Sequence, residues 1–158
     1  MYELNEVTIR RALGQATLDA QPFSALLGAR LTDLQPGSAE VQIPIRRELT
    51  QQHGHVHSGV LGYAAELSLA FAASCAMDIK ATTIAYQVKL LRPAIGTRLV
   101  ARGRAIAAGR SQADCRCEVF VVAGSGIESL CATAEGSISC IGMDGLRYGP
   151  TAQHKRDG

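Results

Sequence analysis

The stretch that decides the reading runs from Gln51 to Met77, QQHGHVHSGVLGYAAELSLAFAASCAM. His53, His55 and His57 fall at alternate positions near its start, and the run that follows, residues 60 to 77, holds one charged side chain, Glu66. So long an apolar run reads as a helix from about Ser58 to Met77. Its serines, its alanines and its single acid suit a core helix better than a membrane span. Ser58 stands where an N-cap belongs, its hydroxyl placed to accept from a backbone N–H one turn on. A helix with no polar face needs apolar cover all round, and a strongly curved sheet supplies it.

Glu66 is the anomaly in that helix. Burying an unpaired carboxylate costs several kcal/mol, so cores keep one only when it is paired or useful. No basic residue stands at 62, 63, 69 or 70, so the helix offers no partner of its own. Two readings remain: an ion pair with a distant arginine, or a carboxylate poised as base or nucleophile in a cleft. The helix start supplies the other half of a reaction. Backbone N–H groups at 58–60 and the positive end of the helix dipole attract a developing oxyanion. Gly59 and Gly62 keep that end slim enough for a substrate to approach the backbone. Glu66 lies about 12 Å further along, so one helix cannot bring both groups to one carbonyl. A second chain, setting its own Glu66 beside this helix start, solves the geometry.

Blander readings of the neighbouring residues are quickly weighed. Three alternating histidines suggest a metal, but no carboxylate or cysteine completes a set, so none is expected. Ser58 beside His57 is no nucleophile, because the Gly-x-Ser-x-Gly elbow is missing and Gly124-Ser125-Gly126 reads as a hairpin turn.

Working outward, Leu4 to Ala20 reads as a weakly amphipathic helix closed by Gln21-Pro22, with a further turn over 23–27. Residues 29–34 and 39–45 read as strands about the turn Gln35-Pro-Gly-Ser38. After the long helix come four strand patterns: 83–91, 98–107, 112–122 and 128–140. In the first, Ile84, Tyr86, Val88 and Leu90 alternate against Ala85, Gln87 and Lys89. The connections at 92–96, 108–110 and 123–126 are short, as antiparallel neighbours require. The domain is expected over 1–141, with residues 142–158 as an irregular tail.

Composition narrows the partners. Over 158 residues, a net charge of +2 and 4% aromatics argue against a nucleic-acid binder. No signal peptide is expected from the acidic, apolar-poor start MYELNEVTIRR. The five cysteines are odd in number and lack a CxxC pair, which reads as buried thiols in a cytoplasmic protein.

These residues together resemble the hotdog-fold acyl-CoA thioesterases of the phenylacetyl-CoA and 4-hydroxybenzoyl-CoA type. The family pattern Asn/Gln-x-x-Gly-x-x-His-Gly-Gly, followed by an acid, is matched by Gln51, Gly54, His57, Ser58, Gly59 and then Glu66. Leu91-Arg92-Pro93 is similar to the family's strand end, and Gly109-Arg110 to its Gly-Arg turn. The resemblance implies an α+β hotdog fold, a curved antiparallel sheet wrapped around one long helix. It implies acyl-CoA hydrolysis with no cofactor, coenzyme A entering only as part of the substrate. Glu66 would be the catalytic carboxylate and the residue-58 N–H the carbonyl's donor. His57, Gln51 and Gly59 would shape the site, and Thr83 would stand near the attacking water. Arg92, Arg104 and Arg110 stand at strand ends or turns where a surface groove would use them for the phosphates of coenzyme A. Arg104 reads more readily as a solvated face, and Arg110, with Gly109, lies in the turn that resembles the family's. The resemblance further implies a homodimer, or a dimer of dimers, with active sites at the dimer interface. Ser58 departs from the family's Gly, which weakens the oxyanion site if that position needs positive φ. The rivals are a hotdog hydratase or dehydratase, for which no His has the needed spacing, and an acyl-CoA-binding module, which has no use for Glu66.

Overall fold

The structure is a computed structural model that describes residues 2–140. The expected tail at 142–158 lies outside the described residues. The elements in chain order are α1 (Tyr2–Asp19), α2 (Pro22–Leu27), β1 (Arg30–Gln35), β2 (Ser38–Pro44), a short 3₁₀ turn (Arg47–Leu49), α3 (Ser58–Met77), β3 (Ala81–Leu90), β4 (Arg98–Ala108), β5 (Gln112–Val122) and β6 (Glu128–Cys140). The six strands form one antiparallel sheet in the order β1-β2-β4-β5-β6-β3.

That order corrects one expectation. The β4–β5 and β5–β6 connections do join neighbours, but β3 pairs with β6 while β4 lies between β2 and β5. Residues 91–97 therefore cross three strand spacings, roughly 14 Å. Seven residues reach about 23 Å when extended, so a short connection does not by itself demand a hairpin. The crossing segment is tied at three points on its way over the helix start: Leu91 N–H to the Cys131 carbonyl, Val56 N–H to the Ala94 carbonyl, and Thr97 N–H to the Val122 carbonyl.

α3 lies in the trough of this sheet because its small residues let the backbones meet. A Cβ on Gly103 of β4 would stand 2.4 Å from the Ser68 carbonyl oxygen, so glycine there admits the helix. Val60, Leu61, Leu69, Ala72 and Ala73 are buried against the inward rows of the sheet, which include Val41, Ile43, Leu99, Val119 and Ile138. Cys115 and Cys117 both point inward, as their spacing requires, and burial pushes each thiol up to about 11. Such thiols are poor nucleophiles near neutral pH.

The cover is incomplete on one side. Gly62, Tyr63, Glu66, Ala70 and Ser74 are only half-buried, and their spacing makes them one stripe of α3. Elsewhere the middle of α3 is covered, as expected, while Phe71 and residues 75–77 toward its end are also partly exposed. The open stripe runs beside β3, and it carries Glu66.

Candidate active site

The loop before α3 is tied down by its own polar groups. Thr50 bridges Val56 across the loop. Gln51 N–H donates to the His55 carbonyl at 2.9 Å, and Gly54 turns the chain at φ 85°. The Gln51 side chain accepts from His53 N–H and contacts the His55 ring. Gln51 thus holds the shape of the loop. Among the described residues, no group of three potential ligands is placed to hold a metal.

The helix cap differs from expectation. His57, not Ser58, is the capping residue, its Nδ1 accepting from Gly59 N–H at 3.0 Å. Ser58 is already the first helical residue, and the ring of His57 reaches the second amide from outside. Two consequences follow. An accepting Nδ1 leaves the ring proton on Nε2, which is then a free donor. The Gly59 amide is consumed by the cap and the Val60 amide by the His57 carbonyl, leaving Ser58 N–H without an acceptor among the described residues. The backbone at Ser58 is ordinary helix with negative φ, so a side chain there carries no strain.

Gln51, His57, Ser58 and Arg92 line one cleft of about 540 Å³, together with Leu61, Leu90, Leu91 and Ala94. One wall is polar loop, the other apolar. A second hollow shares Gln51 and Gln52 with it and opens toward Arg47. Glu66 does not line this cleft. It sits two turns along α3, where Thr83 of β3 donates a hydrogen bond to its carboxylate. Among the described residues it joins no ion pair. The structural alternative, a distant arginine partner, finds no such arginine among the described residues.

Glu66 also acts on its neighbour one turn back. Burial, joined by the Glu66 charge, raises the Tyr63 phenol above its ordinary range, against the opposing hydrogen bond with Ser24. Ser24 belongs to α2, and Phe23 of the same turn meets the Tyr63 ring edge-on at 5.1 Å.

The remaining expected residues are elsewhere. Gly109 and Arg110 lie in the β4–β5 turn, at the end of the sheet where α3 finishes, remote from the helix start of their own chain. Arg104 is exposed on the outer face, directly opposite Arg116. Sequence reasoning passed over Tyr86, whose hydroxyl comes 3.7 Å from the point where a Cβ on Gly62 would stand. A polar-tipped aromatic at one position of an otherwise aliphatic row was the available signal.

Comparison with known proteins bears on this site. The thioesterase superfamily profile matches residues 53–126, a span that holds the loop, α3 and the crossing segment. A thioesterase family protein of Silicibacter pomeroyi has 30% identity and a TM-score of 0.76, over 80% of this chain and 93% of that one. The PaaI protein from the phenylacetic acid degradation operon of E. coli superposes with a TM-score of 0.74 at 20% identity, over 86% of this chain and 96% of its own. A thioesterase of Haemophilus influenzae gives a TM-score of 0.69 at 20% identity, over 84% and 90%. No curated protein sequence matches significantly. The chain belongs to the thioesterase superfamily and has the hotdog fold. In the broad sense, that membership supports thioester hydrolysis.

Proposed function

We propose that this protein hydrolyses acyl-CoA thioesters at a site shared by two subunits, with Glu66 of one facing the helix start of the other. The observation that carries the reading is Glu66 itself, a half-buried carboxylate with a hydroxyl partner and, among the described residues, no cation. A group kept at such cost and left unneutralised suits a base or nucleophile. The thioester carbonyl lies at the Ser58 N–H, with the His57 Nε2–H available beside it. Attack on the carbonyl carbon, by Glu66 or by water that Glu66 deprotonates, gives an oxyanion at those donors. Collapse breaks the C–S bond, and coenzyme A leaves as the thiolate. In the nucleophilic route, water then cleaves the acyl–Glu66 anhydride.

Two further observations support a shared site. The cleft at the helix start lacks its carboxylate within one chain, and about 12 Å of helix separates them. Among the described residues β3 pairs on one side, with β6, and Ile84, Tyr86 and Leu90 are exposed along it, next to the open stripe of α3. A two-fold partner joined there sets the helices antiparallel, which crosses residue 58 of each with Glu66 of the other. The same crossing carries the partner's β4–β5 turn toward this helix start. Arg92 and Arg47 of one chain and Arg110 of the other then surround the phosphates of coenzyme A. The free buried thiols suit a reducing cytoplasm.

The test is hydrolysis of an acyl-CoA panel by wild type and by Glu66→Gln. The variant keeps an acceptor for Thr83 and should fold normally, while kcat falls roughly 100-fold or more, the scale of a lost base. Wild-type turnover in Glu66→Gln rejects the assignment. Binding without hydrolysis by wild type would make the protein a binding module.

A further inference from the structure

Thr83 and Tyr86 are three apart on β3, and on a regular strand such residues face opposite sides. Here they face the same side. The β3–β6 register shifts between Thr83 and Ala85, so that Ile84 is an extra residue, and the bulge turns both Thr83 and Tyr86 toward α3. Thr83 reaches Glu66, and the Tyr86 hydroxyl reaches Gly62. Residues 58, 62 and 66 are spaced four apart and share one stripe of the helix. The phenol therefore stands one turn past the helix start and one turn short of its own chain's carboxylate.

The next residues on the same side of β3 are Val88 and Leu90. Leu90 forms the apolar wall of the cleft with Leu61. Followed inward from Ser58, that wall leads along Leu61 and Leu90 to the Tyr86 ring. In the single chain the ring is not consumed by the core, being 44% exposed, and its hydroxyl has no hydrogen-bond partner among the described residues; in the proposed dimer it borders the seam at which the shared site lies. The hydroxyl stands 3.7 Å from where a Cβ on Gly62 would sit, an ordinary contact distance, so ring and helix meet at this point.

We infer that Tyr86 is the end wall of the acyl channel, so that the site takes short acyl groups and excludes long ones. The inference rests on the thioesterase reading for the identity of the ligand. The acyl group lies along Leu61 and Leu90 and stops against the phenol. Its thioester remains at Ser58.

The experiment measures calorimetric binding of alkyl-CoA thioethers, which cannot be hydrolysed, from butyl through octyl to hexadecyl. Affinity for wild type should rise with chain length and then stop rising. In Tyr86→Ala the break should move to longer chains, with hexadecyl-CoA bound about ten-fold more tightly than by wild type, as two further buried methylenes supply. Tyr86→Phe keeps the ring and should keep the wild-type break. If Tyr86→Ala does not fold by circular dichroism, Tyr86→Leu replaces it, because leucine shortens the wall while still covering Gly62. An unmoved break in the folded variant overturns the inference. So does an equal movement in Tyr86→Phe, which would assign the effect to the hydroxyl rather than to bulk. Absence of acyl-CoA hydrolysis with a break that still moves defeats the thioesterase reading and leaves Tyr86 as the wall of a binding site. Failure of wild type to bind any thioether overturns both.

Discussion

At one edge of the sheet β1 lies against α1; at the other, β3 is uncovered by any of the described residues. The β1 edge is short, six residues, and is interrupted by a register shift between Leu31 and Asp33. α1 closes it directly: the Gln15 side chain accepts from Leu31 N–H at 2.7 Å. Gly14 lets the helix come so near that a Cβ there would stand 2.6 Å from Leu31 Cδ2. β3 is ten residues long and carries Ile84 at 59% and Leu90 at 53% exposure. A long apolar edge is a template for another strand, which proteins usually blunt with a cover, a kink or a charge. Both edge strands carry a register shift, but among the described residues a helix covers β1 and nothing covers the outer side of β3. The open edge is also the one beside Glu66, which is why the proposed two-subunit site places its seam there.

The largest effect should come from blunting β3 as β1 is blunted. Ile84 is exposed and outside the core, so Ile84→Lys places a charge on the edge without disturbing packing. Sedimentation should show a monomer with native circular dichroism. Acyl-CoA hydrolysis should fall roughly 100-fold or more, because each helix start then lacks a carboxylate. An active dimer carrying Lys at this position would show that the β3 edge is not where the subunits meet.

A more selective test leaves both edges intact. Glu66→Gln chains and Gly59→Val chains, each inactive alone, should recover activity when their subunits are exchanged. In a mixed dimer one site has both defects and the other has neither. At equal ratio half of the dimers are mixed, so recovery should approach roughly one quarter of wild-type sites. Verified exchange without recovery would place the whole site within one chain.

What the sequence disclosed of this arrangement, and what it withheld, follows the range of the interactions. α3 was legible because a continuous apolar run from Val60 has one simple reading, and the structure begins and ends it at Ser58 and Met77. β5 and β6 were legible from strict alternation and a Gly-Ser-Gly turn. Strand order was not, since nothing local in residues 91–97 distinguishes a hairpin from a crossing. Nor was the bulge: Ile84, Tyr86, Val88 and Leu90 alternate so regularly that Thr83 reads as facing away from Tyr86. Only the pairing with β6 reveals Ile84 as the extra residue. The cap went to His57 because its ring reaches Gly59 N–H, a choice that the usual preference for Ser conceals. The odd acid at Glu66 was visible at once, whereas its partner Thr83 depended on the bulge.

The smallest effect concerns the sealed edge. Leu31 N–H points out of the sheet, and Leu31 is buried beneath α1, so water cannot readily replace the Gln15 acceptor. Gln15→Ala leaves that amide unpaired, and such a group costs about 1–3 kcal/mol. The expected loss lies near the lower end, about 1 kcal/mol, because α1 can shift at its exposed side to admit solvent. Urea unfolding measures it. Asp19→Ala is the control: Asp19 accepts from the Gln15 amide at 2.7 Å but is exposed and touches no strand. Its removal should cost less than about 0.5 kcal/mol, as surface substitutions do. If Gln15→Ala costs no more than Asp19→Ala, the hydrogen bond does not seal β1. The cover would then be the packing of Gly14 and Leu18 alone, and the contrast between the two edges would be one of buried area rather than of satisfied backbone.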